Sequence, residues 1–240
     1  MLVIETLELC VIRTGNLILD RINISLRKNE ILALVGPSGC GKTTFLKSLM
    51  GLIEPKSGKI IIRKGLSKSM MFQQNLLQPW LSVEDLVRLP GKILGKSIDS
   101  NKWLEMVGLN EWANKYPWEL SGGMKRRVSL ARSLSTYPDI LLLDEPFYGI
   151  DEITKEKLYQ EFSLAIEKSN SSVIFVTHNV NEAIFLADRI IAITERPASI
   201  KGEIIVKLER PRQNNIFLKQ NFLDIAKDLR IILNRKEERL

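Results

Sequence analysis

A glycine-rich segment at residues 36–44, with the sequence GPSGCGKTT, constrains the fold of this chain more than any other stretch. It follows an apolar run at residues 31–35 and precedes a segment with helical spacing at residues 45–52, so we expect a strand, a turn and a helix. Glycines let backbone N–H groups close around a polyphosphate, and the helix N-terminus attracts the same anion. The Lys42 ammonium adds charge near the terminal phosphates, and the Thr43 hydroxyl suits Mg²⁺. We therefore predict a nucleotide-binding P-loop formed by Gly36, Pro37, Ser38, Gly39, Cys40, Gly41, Lys42, Thr43 and Thr44.

The segment at residues 140–145 supplies a second part of such a site. Its first four residues are apolar and predict a buried strand, and Asp144 and Glu145 follow directly. Ligands of parallel sheets bind at the carboxyl ends of the strands, so both carboxylates are expected at the site. Asp144 would hold Mg²⁺, directly or through water, and Glu145 could polarise a water for attack on the γ-phosphate. An acidic turn that merely follows a strand is the alternative interpretation.

Length, charge and cysteine content favour a soluble protein of the cytosol. The 240 residues fit one domain with a subdomain, and Cys10 and Cys40 fit a strand and the P-loop without a disulfide. The first residues lack the pattern of a signal peptide, and no run approaches the roughly 18 apolar residues of a membrane span. The formal charge of +7 is scattered rather than clustered, so no direct nucleic-acid partner is expected.

The remaining pattern alternates between strands and helices. Two antiparallel strands are predicted near the N-terminus from the alternating residues Leu7, Leu9 and Val11 and then Ile22, Ile24 and Leu26. Short helical patterns at residues 76–118, punctuated by prolines such as Pro90, predict an inserted helical subdomain. Further alternation over residues 121–208 predicts a mostly parallel sheet covered by helices. Apolar residues at helical spacing over residues 218–232 predict an amphipathic tail helix that docks on the body or on a partner.

A second glycine motif, LSGGM, occupies residues 120–124. Ser121 is a suitable N-cap for a helix, and Gly122 and Gly123 leave its first turn bare, which favours an anion there. Taken alone, the two glycines would also fit a flexible turn. A P-loop, this motif and then the Asp-Glu-Pro strand end, in this order and spacing, resemble the ATP-binding subunits of ABC transporters.

The resemblance covers about residues 1–210 and implies an α/β fold of the P-loop NTPase, RecA-like type. A mostly parallel sheet core would carry an N-terminal antiparallel β subdomain and an inserted α-helical subdomain. The implied domains are an ABC ATPase domain at residues 1–212, with the helical insertion at about residues 76–135, and a C-terminal helical tail at residues 213–240. The implied activity is ATP hydrolysis coupled to transmembrane transport, with ATP and Mg²⁺ as cofactors.

The resemblance also implies roles for individual residues. Gln73 matches a glutamine that contacts Mg²⁺ and links the core to the helical subdomain, with a solvated glutamine as the alternative. Asp151 matches an aspartate that communicates across a dimer, with an exposed turn acid as the alternative. His178, the only histidine of the chain, matches a residue that contacts the γ-phosphate. The implied catalytic residues are Lys42, Gln73, Glu145 and His178, and the implied Mg²⁺ ligands are Thr43, Gln73 and Asp144.

The family also implies partners for this chain. Two ATPase subunits pair head to tail in the family, and each ATP lies between the P-loop of one subunit and the residues that match Ser121, Gly122 and Gly123 in the other. A homodimer or a pair with a paralogous ATPase subunit is therefore implied, together with transmembrane permease subunits and, in the full system, a substrate-binding protein. The implied location is peripheral, on the cytoplasmic face of the cell (inner) membrane.

The sequence departs from the family pattern at the adenine-stacking position, after the second glycine motif, and in the helical subdomain, which is short between Leu86 and Lys102. Where the family has an aromatic residue that stacks on adenine, the chain has Ile12, Arg13 and Thr14. The Arg13 guanidinium could stack on the base or could be solvated. Arg126 stands where a glutamine is expected after the second glycine motif.

Finer features are similar to the importer branch for nitrate, sulfonate, taurine and related anions. They are LQPWLSV at residues 77–83, YPWEL at residues 116–120, DEPF at residues 144–147 and the Arg-Pro pairs at residues 196–197 and 210–211. Trp80 fits either a docking groove for a membrane subunit or the plain core of the subdomain. Two other functions stay open, namely a soluble ABC ATPase that acts on nucleic acid or ribosomes, and a nucleotide-binding regulatory subunit without turnover.

Overall fold

The computed structural model describes residues 1–74 and 76–235, so residues 236–240 of the predicted tail lie outside the described part. The strands are β1 (Leu2–Arg13), β2 (Asn16–Ile22), β3 (Ser25–Arg27), β4 (Ile31–Val35), β5 (Ser57–Ile62), β6 (Lys68–Met71), β7 (Ile140–Asp144), β8 (Ser172–Thr177), β9 (Arg189–Ile193) and β10 (Ile200–Ile205). The helices are α1 (Lys42–Met50), α2 (Val83–Leu94), α3 (Ser100–Met106), α4 (Gly122–Leu134), α5 (Glu152–Ser169), α6 (Val180–Leu186) and α7 (Gln220–Asn234). None of the helices in the described part is both long and apolar enough to span a membrane.

A six-stranded sheet in the order β10-β9-β4-β8-β7-β6 forms the centre of the fold. Strand β4 pairs in parallel with β8 and β9, strand β7 pairs in parallel with β8 and β6, and β10 runs antiparallel to β9. The register places Val35 opposite Thr177 and Asp144 opposite Val176. The carboxyl ends of β4, β7 and β8 therefore meet at one edge, where ligands of such sheets bind. This arrangement confirms the mostly parallel sheet predicted from the alternation.

Both faces of this sheet are buried, which explains the unbroken apolar runs of its central strands. All residues of β4, β7, β8 and β9 are buried. Along β4, Ile31, Ala33 and Val35 pack into a cluster with the helices α2 to α7, whereas Leu32 and Leu34 pack into a second cluster with α1 and the N-terminal strands. Successive side chains of a strand point to opposite faces, so one strand joins both halves of the core.

A second, antiparallel sheet contains β2, β1 and β3 in that order, and β5 also pairs with β1. It confirms the predicted antiparallel subdomain, but the alternating run of Ile22, Ile24 and Leu26 is divided, because β2 ends at Ile22 and β3 begins at Ser25. The Thr6 hydroxyl donates to the Ile22 C=O at 2.9 Å and accepts the Ile24 N–H at 2.8 Å. A buried hydroxyl thus satisfies the backbone at the bend, and Ile24 stays in the core although it leaves the strand.

Helices α2 and α3 are inserted between β6 and β7, and α4 leads back to the sheet. Pro90 lies inside α2, although the sequence predicted it as a boundary. A proline within a helix loses a hydrogen bond and costs about 3 kcal/mol. Val83, Leu86 and Val87 are fully buried on α2, and each buried apolar side chain contributes roughly 1.5–3 kcal/mol. Packing of this face therefore offsets the cost of the proline.

The tail helix α7 packs on the body of the protein, against α6, β9 and β10. Phe222, Ala226 and Leu229 form its buried face at helical spacing. Lys201 of β10 donates to the Leu233 C=O at 2.8 Å, which fixes the end of the helix. Of the two docking sites open from the sequence, the structure therefore selects the body of this chain.

Replacing Leu229 by alanine is expected to lower the free energy of unfolding by about 2–5 kcal/mol. Leu229 is fully buried under α7, so the shorter side chain leaves a cavity. Urea denaturation followed by circular dichroism measures the change. The matched control is Leu223→Ala on the exposed side of the same helix, which should change stability by less than about 0.5 kcal/mol. Equal losses for the two variants would contradict docking through this face.

Candidate nucleotide site

The P-loop connects β4 to α1 at the carboxyl edge of the central sheet. Gly39 and Gly41 have φ angles of 77° and 128°, which favour glycine. A Cβ on Gly41 would lie 2.9 Å from side-chain carbons of both Ile18 and Leu19, so β2 supports the loop from behind. The loop is therefore a close-fitting backbone cradle, in line with its glycine spacing.

Lys42 begins α1 and places its ammonium on the P-loop. The Nζ atom donates to the C=O of Gly36 at 2.9 Å and to the C=O of Pro37 at 2.8 Å. The same nitrogen lies 3.7 Å from Glu145 Oε1, and the side chain is only 4% exposed. A shielded positive charge is thus held within the glycine cradle, next to the helix N-terminus.

Thr43 and Asp144 bring two oxygen ligands together. The Thr43 hydroxyl donates to Asp144 Oδ1 at 2.9 Å, and Asp144 is buried. Burial raises the pKa of Asp144 and outweighs the hydrogen bond from Thr43, which lowers it. Within the described residues, no group of three or more His, Cys, Asp or Glu side chains could hold a metal ion by itself. The hydroxyl and carboxylate oxygens of Thr43 and Asp144 fit Mg²⁺, a hard cation that typically takes one or two carboxylates together with substrate phosphates.

Glu145 lies between Lys42 and His178. Its Oε2 is 3.3 Å from His178 Nδ1, and its side chain is 12% exposed. The backbone of Glu145 has a φ of 44°, which is unusual for a residue other than glycine, and its N–H donates to the Val176 C=O at 3.0 Å. The hydrogen bond to β8 stabilises this left-handed conformation, so the carboxylate has a fixed position and is shielded from solvent.

A buried hydrogen-bond network supports His178, which follows β8. Thr177 donates its hydroxyl to Glu182 and accepts the Asn179 N–H at 3.0 Å, and Lys155 of α5 is 3.8 Å from Glu182. Burial raises the pKa of Glu182, while the Thr177 hydrogen bond and the Lys155 charge oppose the shift. The His178 side chain itself is 48% exposed. The accessible imidazole of His178 therefore follows a segment that buried hydrogen bonds hold in place.

The second glycine motif forms the N-terminus of α4. Ser121 Oγ accepts the Met124 N–H at 3.3 Å, which confirms Ser121 as the N-cap. Ser121 and Gly122 are exposed, whereas a Cβ on Gly123 would lie 3.5 Å from Thr154 of α5. No hydrogen bond or ion pair of the described residues joins this motif to the P-loop. The structure thus leaves the motif outside the cluster that it forms from Lys42, Thr43, Asp144, Glu145 and His178.

No hydrogen bond or ion pair among the described residues joins the other three predicted site residues to this cluster. Asp151 caps α5 by accepting the Thr154 N–H at 2.9 Å, and this hydrogen bond lowers the pKa of Asp151. Gln73 follows β6, is half-buried, and its C=O accepts a hydrogen bond from Arg126. Arg13 is exposed at the end of β1, beside the turn to β2.

Two arginines reach the site although the sequence did not assign them to it. Arg196, in the turn after β9, donates to the Gly39 C=O of the P-loop at 2.7 Å. Arg126 is 5% exposed and donates to the C=O of Gln73 and to the C=O of Tyr148, the latter at 3.0 Å. Contacts between such distant positions leave no local pattern, and the unexpected arginine after the glycine motif was the single signal for Arg126.

The parallel sheet and the residues at its carboxyl edge define a P-loop nucleotide hydrolase. A sequence model of the family described as ABC transporter matches residues 19–148 of this chain. The chain belongs to the ABC transporter family, and it is an ABC ATPase.

Several curated proteins are similar over most of their length. An uncharacterized ABC transporter ATP-binding protein of Methanocaldococcus jannaschii is 39% identical over 225 residues, which are 88% of this chain and 84% of that protein. The nitrate import ATP-binding protein NrtD of Synechococcus elongatus is 37% identical over 209 residues, covering 81% of this chain and 76% of that protein. An aliphatic sulfonates import ATP-binding protein of Pseudomonas syringae pv. tomato is 40% identical over 205 residues, covering 82% and 85%.

A solved structure with the same fold is a dimeric ATP-binding cassette in a post-hydrolysis state, bound to ADP and Pi. It is 26% identical to this chain, has a TM-score of 0.73, and the alignment covers 86% of this chain and 100% of that chain. The predicted α/β, P-loop NTPase fold is therefore confirmed.

Proposed function

We propose that this chain is the nucleotide-binding subunit of an ABC importer for a small anion of the nitrate, sulfonate or taurine type. Two copies, or one copy and a paralogue, would enclose two ATP molecules, and hydrolysis would drive the permease subunits. The observation that carries the proposal is the cluster in which Glu145 lies between Lys42 and His178, beside the Thr43–Asp144 pair.

Each residue of the cluster has a chemical task in this proposal. The P-loop N–H groups and Lys42 would bind the phosphates, and Thr43, Asp144 and Gln73 would hold Mg²⁺. The ion would supply positive charge that neutralises the phosphate oxygens. Glu145 accepts a proton from the attacking water, and its fixed, shielded position orients the carboxylate for this step. His178 donates a hydrogen bond to the γ-phosphate.

The second anion site is the reason for proposing a pair of subunits. Ser121 and Gly122 expose a helix N-terminus that has no acidic residue in its first turn, which suits a phosphate. A second copy arranged head to tail would place this motif over the P-loop of the first, and Asp151 would lie near the contact. Related cassettes described as dimeric support this arrangement.

The transport role rests on relatives and on an exposed aromatic surface. Relatives of up to 40% identity are named nitrate and aliphatic sulfonate import proteins. Trp80, in the segment before α2, is 72% exposed, which is incompatible with the plain-core alternative and suits contact with a membrane subunit. The subunit would then act on the cytoplasmic face of the inner membrane, with a substrate-binding protein in the complete system.

The experiment that tests this role is purification of the tagged chain from detergent-solubilised native membranes, followed by mass spectrometry. Two integral membrane permease subunits in stoichiometric amounts are expected. Trp80→Ser should release the permease subunits. The ATPase activity should be kept, because no hydrogen bond or ion pair of the described residues joins Trp80 to the cluster. Recovery of ribosomal proteins or nucleic acid instead would favour the non-transport ATPase and contradict the proposal.

If the Arg13 guanidinium stacks on adenine, Arg13→Ala is expected to raise the KM for ATP about 2- to 5-fold, since a cation–π contact at an exposed site contributes roughly 0.5–1 kcal/mol. The kcat should stay unchanged, because no described residue of the hydrolytic cluster contacts Arg13. Steady-state ATPase assays with ATP and GTP measure both constants. An unchanged KM would leave Arg13 a solvated side chain.

A further inference from the structure

Arg126 is a buried charge whose hydrogen bonds join three separate segments of the ATPase. It lies in α4, one turn after the exposed motif at residues 121–123, and it is 5% exposed. Its Nη1 donates to the backbone C=O of Gln73, and its Nη2 donates to the backbone C=O of Tyr148 at 3.0 Å. One guanidinium thus connects the N-terminal part of α4 with a loop 53 residues before it and a turn 22 residues after it.

The two accepting carbonyls belong to segments that carry predicted site residues. The first belongs to Gln73 itself, between β6 and the helical insertion. The second belongs to Tyr148, in the turn that begins at Glu145 and ends at Asp151, the N-cap of α5. The Arg126 guanidinium therefore links the position of this turn to the position of α4.

The chemistry of the arginine suits this task. A guanidinium presents its N–H groups in a rigid planar fork, so it can hold two carbonyls at a fixed separation, whereas a glutamine amide offers one nitrogen. Burial lowers the pKa of Arg126, whereas the charges of Asp144 and Glu145, the two carboxylates at the end of β7, act to raise it.

We propose that Arg126 is a positioning residue that transmits the placement of the exposed motif at residues 121–123 to Glu145. This inference rests on the proposed function, in which that motif meets ATP held by a second copy. When the motif engages phosphate, α4 takes a defined position. Arg126 then fixes the positions of the turn from Glu145 to Asp151 and of the loop at Gln73 relative to α4. Hydrolysis thereby proceeds only when the partner site is complete.

The test separates positioning from a general structural role by comparing kcat with ATP affinity. Arg126→Met keeps the volume of the side chain and leaves no unpaired buried charge, so the fold should persist. We expect kcat to fall about 100-fold, as for small misplacements of catalytic groups. The dissociation constant for ATP should stay within about 2-fold, because the P-loop contacts are intact. Arg126→Lys keeps the charge without the fork and should give an intermediate kcat.

Two controls define the outcome. Arg127→Met removes the neighbouring arginine of α4. Arg127 donates to the Val107 C=O at 3.2 Å and lies 3.5 Å from Glu161, and neither partner belongs to the two loops that Arg126 contacts. This variant should change kcat by less than about 3-fold. Combining Arg126→Met with Glu145→Gln should still allow an ATP-induced dimer, measured by light scattering. A parental kcat for Arg126→Met would overturn the positioning role, as would equal losses of kcat and ATP affinity. If the parental chain neither hydrolyses ATP nor dimerises with it, the proposed function has failed instead.

Discussion

Glu145→Gln is expected to reduce ATP turnover by at least about 100-fold while ATP still binds and holds two chains together. The amide has the shape of the carboxylate but cannot accept a proton from water. The Glu145 side chain is 12% exposed and lies between Lys42 and His178. A carboxylate from the buffer therefore cannot take its place in Glu145→Gln. The substitution leaves the P-loop and Lys42 intact, so we expect the proposed pair of chains to close on ATP and not to reopen.

Phosphate release measures the turnover, and light scattering after gel filtration with ATP measures the dimer. Glu111→Gln, which alters an exposed carboxylate in the helical insertion, is the control and should behave as the parent does. Turnover at the parental rate in Glu145→Gln would contradict the assigned role. A variant that fails to bind ATP would do so as well, because it would mean that the carboxylate maintains the site rather than acting on water.

Lys42→Met is expected to raise the dissociation constant for ATP by at least about 10-fold. Hydrogen bonds to charged groups contribute about 1.5–3 kcal/mol each, so loss of even one phosphate contact weakens affinity about 10- to 100-fold. The Lys42 ammonium already lies on the P-loop carbonyls of Gly36 and Pro37, within reach of the space that the loop encloses. The rate of ATP hydrolysis should fall together with the affinity for ATP.

Titration calorimetry with ATP and with AMP distinguishes the source of the loss. AMP lacks the terminal phosphates, so its weaker binding should be the same in the parent and in Lys42→Met. Lys59→Met, on the exposed surface of β5, is the matched control and should retain parental affinity for ATP. Unchanged ATP affinity in Lys42→Met would show that the ammonium does not contact the nucleotide.

The parts of the site that sequence could predict are those that follow a buried parallel strand. The apolar runs that end at Val35, Asp144 and Thr177 are fully buried strands, and parallel pairing brings their carboxyl ends to one edge. Residues that follow such strands directly, namely the P-loop, Glu145 and His178, are therefore near one another as soon as the strands are recognised.

The parts that sequence could not predict depend on single contacts across the fold. The bend at Ile24 exists because the Thr6 hydroxyl, 18 residues away, satisfies its N–H. Pro90 continues a helix because the buried residues Val83, Leu86 and Val87 pack α2 into the core. Arg126 and Arg196 reach loops that no helical or strand periodicity places beside them. Local propensity carries no information on such partners.

In the proposed dimer, each ATP is bound by the P-loop of one chain and residues 121–123 of another. The most direct test mixes two variants in the Glu145→Gln background, one with Lys42→Ala and one with Gly122→Asp. A Cβ on Gly122 meets no atom within 4 Å, so the aspartate fits the fold and repels phosphate. Neither variant alone should retain labelled ATP. The mixture should retain it, because one intact P-loop then faces one intact motif. A mixture that retains none, while Glu145→Gln alone does, would contradict the account.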